Sequence, residues 1–218
     1  MIIGVCGFIG SGKDTVADYL VNTHCFRRES FAATLKDAVS AVFGWDRDML
    51  EGRTRSSREW REQPDAWWSQ RLGREITPRW VLQHWGTDLC RAHFHDDIWI
   101  ASLENKLRNS NDDVVISDCR FPNEIAAIRN SGGKIVRVVR GSEPVWYNDA
   151  LRFNAGPNKI GWALGRHALE KAGIHASEYA WVGTDFDAVL DNNSSVDALY
   201  QQITDLVQDH RDATASHS

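Results

Sequence analysis

Near its amino terminus the chain passes directly from an apolar run into glycines and then into an amphipathic pattern, and this restricts its fold more than any other feature. Ile2, Ile3 and Val5 read as a short buried strand extending to about Phe8. Gly7-Phe8-Ile9-Gly10-Ser11-Gly12-Lys13-Asp14-Thr15 then forms a turn entering a helix, Lys13 to about His24, with Val16, Ala17, Leu20 and Val21 on its inward face. Gly7, Gly12 and Lys13 have the spacing of a phosphate-binding loop. Such a loop needs small residues, so that successive backbone N–H groups can converge on phosphate oxygens. The helix behind it points unpaired N–H groups and the positive end of its dipole at the same anion. Lys13 can bridge the outer phosphates of ATP and offset charge as the γ-phosphoryl group moves.

Gly7, Gly10, Ser11, Gly12, Lys13, Asp14 and Thr15 are therefore the expected ATP contacts. The departure is Asp14, where the usual pattern has Ser or Thr. A carboxylate there can attract Mg2+ directly or through water, and Thr15 offers a neighbouring hydroxyl; the division between them stays open. A plain glycine turn capping a helix is the bland alternative. A dinucleotide-binding turn fits less well, because Lys13 favours a triphosphate and no strand-ending acid follows about 20 residues on.

The rest of the chain alternates strand and helix around two long excursions. A helix from about Phe31 runs to a terminator at Gly44, and the tryptophan- and arginine-rich stretch from Trp45 to Thr77 reads as an insertion or mobile segment with short helical pieces. Pro78 opens a helix that Gly86 is expected to end, and another spans about Asp97 to Arg108. Val114–Ile116 and Ile135–Val139 read as strands separated by a helix from Pro122. A polar excursion fills roughly 141–183, a strand lies near Val189 and Leu190, a helix covers about 196–207, and the tail from His210 looks frayed. The expected fold is α/β: a parallel-sheet P-loop kinase core with helices on both faces. One domain over 1–218 would carry two long excursions, at about 31–97 and about 141–183, that suit mobile flaps on this core.

A net charge of −5 argues against a polynucleotide partner, although local patches can still bind phosphate. The four cysteines lack a Cys-x-x-Cys pair and read as reduced thiols. The chain opens directly into a strand and contains no long apolar run, so a cytoplasmic protein without a membrane segment is expected.

A kinase needs a second site that holds the acceptor in line with the γ-phosphate. Lys36, one helical turn past Ala32, can reach an acceptor phosphate. Arg79 and Gln83, four residues apart, share a helix face, with Thr87 and Asp88 beyond them. Each also reads blandly, as surface lysine or solvated helix. Asp118 sits at the end of a buried strand, where parallel sheets place function, and can hold magnesium-bound water. Arg120 can balance the transferring charge. Arg140 lies better than Arg137 for approaching phosphates from the end of the next strand. His175 and Glu178 form a candidate latch, or merely a capping fragment. Asn192 and Asn193 can approach the adenine, or serve the turn into the last helix. His93, His95, Asp96 and Asp97 lack further ligand spacing for a dedicated metal site.

Together, Ser11-Gly12-Lys13-Asp14-Thr15, Gln83-x-x-Gly86-Thr87-Asp88, Asp118-x-Arg120, Gly133-x-Ile135-x-x-Val138-Val139-Arg140, His175-x-Ser177-Glu178 and Asn192-Asn193 resemble the deoxynucleoside monophosphate kinases of tailed bacteriophages. The resemblance spans roughly residues 2–208 and extends more broadly to the P-loop nucleoside monophosphate kinases. It implies transfer from ATP-Mg2+ to a deoxynucleoside 5'-monophosphate, in the host-cell cytoplasm if the chain is phage-encoded, with a homodimer left open. It implies an acceptor-binding helical insertion at about 31–97 and a closing lid at about 141–183, with Lys13, Asp118, Arg120 and Arg140 as catalytic groups, Lys36, Arg79, Gln83, Thr87 and Asp88 around the acceptor, and His175 and Glu178 at the lid. The departure at Asp14 matches the phage group and leaves the magnesium shell open, with Asp14, Thr15 and Asp118 as its candidates. A kinase of a small phosphorylated metabolite and a nucleotide-dependent switch protein are the competing readings.

Overall fold

A computed structural model describes residues 1–215. In chain order it contains β1 (Ile2–Cys6), α1 (Lys13–His24), β2 (Arg27–Glu29), α2 (Ala33–Phe43), α3 (Arg47–Glu51), α4 (Arg55–Glu62), α5 (Ala66–Leu72) and α6 (Pro78–Gln83). A π-helical run, His84–Phe94, follows, then α7 (Ile98–Arg108), β3 (Val114–Ile116), α8 (Pro122–Asn130) and β4 (Lys134–Val139). The chain ends with α9 (Tyr147–Asn154), α10 (Trp162–Lys171), α11 (Ala176–Tyr179), β5 (Ala188–Asp191) and α12 (Val196–Ala215). These elements form two compact units, Met1–Ser30 with Leu107–Ser218 and Phe31–Lys106.

The first unit is built on a five-stranded, all-parallel sheet of order β2-β3-β1-β4-β5. Ile3 pairs with Val115 on one side of β1, and Gly4 with Ile135 on the other. Central parallel strands are covered on both faces, which is why β1 and β3 are written as unbroken apolar runs and β4 as one interrupted only by Arg137 after its opening lysine. Ile3 and Val5 pack with Val16, Ala17 and Leu20 of α1 and Leu199, Ile203 and Val207 of α12. On the opposite face Ile128 of α8 and Cys119 close over Gly4. The expected parallel α/β core with helices on both faces is therefore present.

α1 begins and ends where the sequence places it. β2 is an element that periodicity misses: Arg27-Arg28-Glu29 carries no apolar alternation, yet it pairs in parallel register with β3 at the sheet edge. α12 corrects the expectation of a tail frayed from His210, because the helix continues to Ala215; residues 216–218 lie outside the described residues.

The second unit has its own core of Leu35, Val39, Trp45, Leu50, Ile76, Val81 and Trp99. The short helical pieces expected across 45–77 are present, and residues of this stretch pack into that core. Each of its helices starts on a polar cap that is locally specified: Asp46 for α3, Thr54 for α4 and Asp65 for α5. Gly86 also departs from expectation. It does not end a helix; the chain continues through it in π geometry, which absorbs one extra residue per turn. Its missing side chain serves packing instead, since a Cβ there would lie 2.6 Å from Leu35 Cδ2. The Trp99 indole N–H donates to the Gly86 carbonyl at 3.0 Å.

Candidate active site

The loop between β1 and α1 has the geometry that an anion cradle requires. Gly7 sits at φ 150° and Gly12 at φ 106°, both in the region that favours glycine. A Cβ on Gly7 would lie 2.7 Å from the Val138 carbonyl oxygen, and one on Gly12 only 2.4 Å from Asn192 Nδ2. The Ser11 N–H donates to the Phe8 carbonyl at 3.1 Å, tightening the turn. No side chain caps α1, so its first-turn N–H groups remain available to a ligand. Ser11 Oγ is buried beside them without a hydrogen-bond partner. That orphaned hydroxyl, the uncapped helix and the tight glycine turn fit a phosphate chain.

Lys13 folds back over the loop, donating to the carbonyls of Gly7 at 2.8 Å and Phe8 at 2.9 Å. Burial lowers its pKa, and the nearby Arg120 guanidinium lowers it further against the raising effects of Asp14 and Glu178. A bound polyphosphate would stabilise the charged form that the protein alone disfavours. Lys13 shares a cleft with Gly7, Ile9, Cys119, Arg120, Ser177, Glu178 and Trp181.

Arg120 approaches Glu178 Oε1 at 3.4 Å and Ser177 Oγ at 3.5 Å. Its own backbone N–H and that of Phe121 donate to Glu124 Oε2, at 2.8 and 3.1 Å, fixing the entry to α8. The structure thus brings Lys13, Arg120 and Glu178 together from the first loop, the end of β3 and α11. Asp118 lies between β3 and the cleft-lining Cys119. His175 is occupied at the start of α11, where its Nδ1 accepts the Ser177 N–H at 3.3 Å.

Asn192 and Asn193 pin loops. Asn192 Nδ2 donates to the Ser11 carbonyl at 2.8 Å, and Asn193 Oδ1 accepts the Gly141 N–H at 2.6 Å. Arg140 is exposed at the end of β4. Arg137, two register positions before Val139, is instead the buried arginine. It donates to the Tyr147 hydroxyl at 3.0 Å, pairs with Glu143 and lies 5.4 Å from the Trp181 ring. Asp14 is exposed and paired with Arg28, while Thr15 is half-buried one residue on.

In the second unit, Lys36 is committed to Glu51 at 2.7 Å. Arg79 lies 4.0 Å from Glu62, and Asp88 Oδ2 is 2.8 Å from His84 Nδ1. Gln83 and Thr87 are exposed on the same continuous helical run. Sequence reading missed Arg28 and ranked Arg137 behind Arg140. The signal for Arg137 was an arginine inside an otherwise apolar strand. Arg28 had none beyond its place in a charged tripeptide.

A parallel sheet whose central strand delivers a glycine cradle, a lysine and an uncapped helix defines a P-loop kinase-class protein, a phosphotransferase for a small nucleotide or metabolite. Within that class, the family model described as deoxynucleotide monophosphate kinase matches residues 66–151. A protein of Acanthamoeba polyphaga mimivirus, assigned as a deoxynucleotide monophosphate kinase, is 29% identical over 222 residues, covering 95% of this chain and 96% of its own length. The deoxynucleoside-5'-monophosphate kinase of Escherichia phage T5 is 29% identical over 181 residues, covering 60% of this chain and 72% of its own. Among solved structures, TT1252 from Thermus thermophilus aligns over 96% of this chain and 97% of its own, with 18% identity and a TM-score of 0.46.

Proposed function

We propose that the protein transfers the γ-phosphoryl group of ATP to a deoxynucleoside 5'-monophosphate, yielding the diphosphate and ADP. The observation that carries the reading is the convergence of Lys13 and Arg120 in one cleft beside the uncapped start of α1. The match over 66–151 and the names of the viral and phage relatives support the choice of acceptor.

An acceptor phosphate already carries an oxygen nucleophile, so positioning and charge compensation supply most of the rate. In this reading the glycine loop and Lys13 hold the donor phosphates, and Arg120 offsets charge on the group in transit. Glu178 and Ser177 hold Arg120, and Asn192 holds the tight turn of the loop through the Ser11 carbonyl. Mg2+ would neutralise phosphate charge, with Thr15 and Asp118 as the residues proposed to hold it. Arg79, Gln83, Thr87 and Asp88 are the proposed acceptor contacts. Lys36 would have to leave Glu51 to join them, which places it last.

The test is an acceptor screen with Mg-ATP, reading phosphorylated product by mass across deoxynucleoside monophosphates, ribonucleoside monophosphates and small phosphorylated metabolites. Turnover of at least one deoxynucleotide is expected. Robust turnover of a metabolite with every nucleotide inert would reject the proposal, as would ATP hydrolysis indifferent to any acceptor.

A further inference from the structure

Arg28 projects from β2, the strand that periodicity misses, and its guanidinium ties three segments together. One nitrogen, Nη1, donates to Asp18 Oδ1 at 2.8 Å; the other, Nη2, donates to Asp14 Oδ1 and to Ser117 Oγ, the latter at 2.8 Å. Asp14 and Asp18 stand one turn apart on α1, so a single planar fork straddles both carboxylates. The arginine side chain is only 17% exposed. Ser117 immediately precedes Asp118, which puts one end of this linkage at the residue after Lys13 and the other beside the loop carrying Asp118 and Arg120.

The arrangement addresses a chemical problem posed by the loop. An acid stands where phosphate-binding loops ordinarily carry a hydroxyl. Left uncompensated, a carboxylate in the first turn of α1 would oppose the anion that the helix start attracts. We propose that Arg28 is a positioning residue that neutralises Asp14 and turns its carboxylate towards β2, leaving Thr15 as the hydroxyl beside the phosphates. Asp14 directly follows Lys13 in the first turn of α1, so its carboxylate stands next to the cradle. The proposal rests on the reading of this loop as a triphosphate cradle.

A double-mutant cycle tests it, with calorimetric titration of ADP into four proteins: wild type, Arg28→Gln, Asp14→Asn and the double variant. Each titration is run with and without Mg2+, and thermal melts verify that each variant is folded. Arg28→Gln is expected to weaken metal-free ADP binding about tenfold when Asp14 is present, and by less than about threefold in the Asp14→Asn background. Arg28→Lys, which keeps the charge but cannot span both carboxylates and Ser117, should recover part of the loss; it also replaces Arg28→Gln in the cycle if that variant does not fold. Equal losses in both backgrounds would make Arg28 a fold-holding residue only and overturn the proposal. So would no loss at all, or disappearance of the Mg2+ enhancement in Asp14→Asn, which would put the carboxylate on the metal. Failure of the wild type to bind ADP is a separate result, and it would remove the triphosphate reading first.

Discussion

Lys13 holds its ammonium over the loop through two backbone carbonyls, which is the geometry the proposed donor site needs. Lys13→Ala should lower phosphoryl transfer by about 10²–10³-fold, the loss typical of removing one preorganised charged donor. A single-turnover assay measures this, and a thermal melt close to wild type separates it from unfolding. An active, folded variant would show that the lysine serves only the loop. Lys13 was legible in the sequence because everything that specifies it lies within a few residues: a strand, a glycine turn and an apolar helix face. Asn192 was legible as a candidate but not in its role, since its partner is the Ser11 carbonyl 181 residues away. Arg28 was not legible at all. Its three partners come from α1 and the end of β3, and no local pattern encodes that meeting.

The second unit shows how elements too short to be stable alone are held. α3 has five residues, so its persistence depends on its cap and its tertiary contacts. Glu51 at its end accepts from Lys36 of α2 and Arg47 of its own helix, each at 2.7 Å. Burial works to raise the Glu51 pKa, but these two hydrogen bonds and charges outweigh it and bring the carboxyl down to about 2 from an ordinary 4.5. A carboxyl depressed in the folded state stabilises it above the unfolded value, and that contribution is lost as pH falls through the folded value. The melting-temperature gap between wild type and Glu51→Gln should therefore stay constant above about pH 5 and close as pH falls towards about 2. A gap unchanged at low pH would show that Glu51 acts through packing. Caps such as Asp46 and Thr54 mark these helices in the sequence, yet the apolar spacing between them is too sparse to show which tryptophans are core. Gly86 illustrates the same gap: glycine reads as a stop, whereas Leu35, far off in sequence, makes it a packing site within a π-helical run.

For the molecule as a whole, ligand linkage follows from the cradle. ADP with Mg2+ at about a hundred times its dissociation constant should stabilise the folded chain by about 2.7 kcal/mol. For a chain of this size that corresponds to a rise in Tm of about 5–10 °C by scanning fluorimetry. Lys13→Ala should show a clearly smaller rise at the same concentrations, and equal rises would argue that nucleotide binds elsewhere. By itself the sequence determined the parallel core, the position of the glycine cradle and the order along the chain of β1, β3, β4 and β5. Those rest on local periodicity and on backbone demands that only particular residues meet. Tertiary structure alone decided that a charged tripeptide becomes an edge strand and that Arg28 closes on Asp14. It also decided that Arg137, rather than Arg140, is buried among the aromatic rings. The reason is physical: a polar side chain's role is set by the partners that folding brings within hydrogen-bond reach, and those partners leave no periodic trace in the segment that carries it.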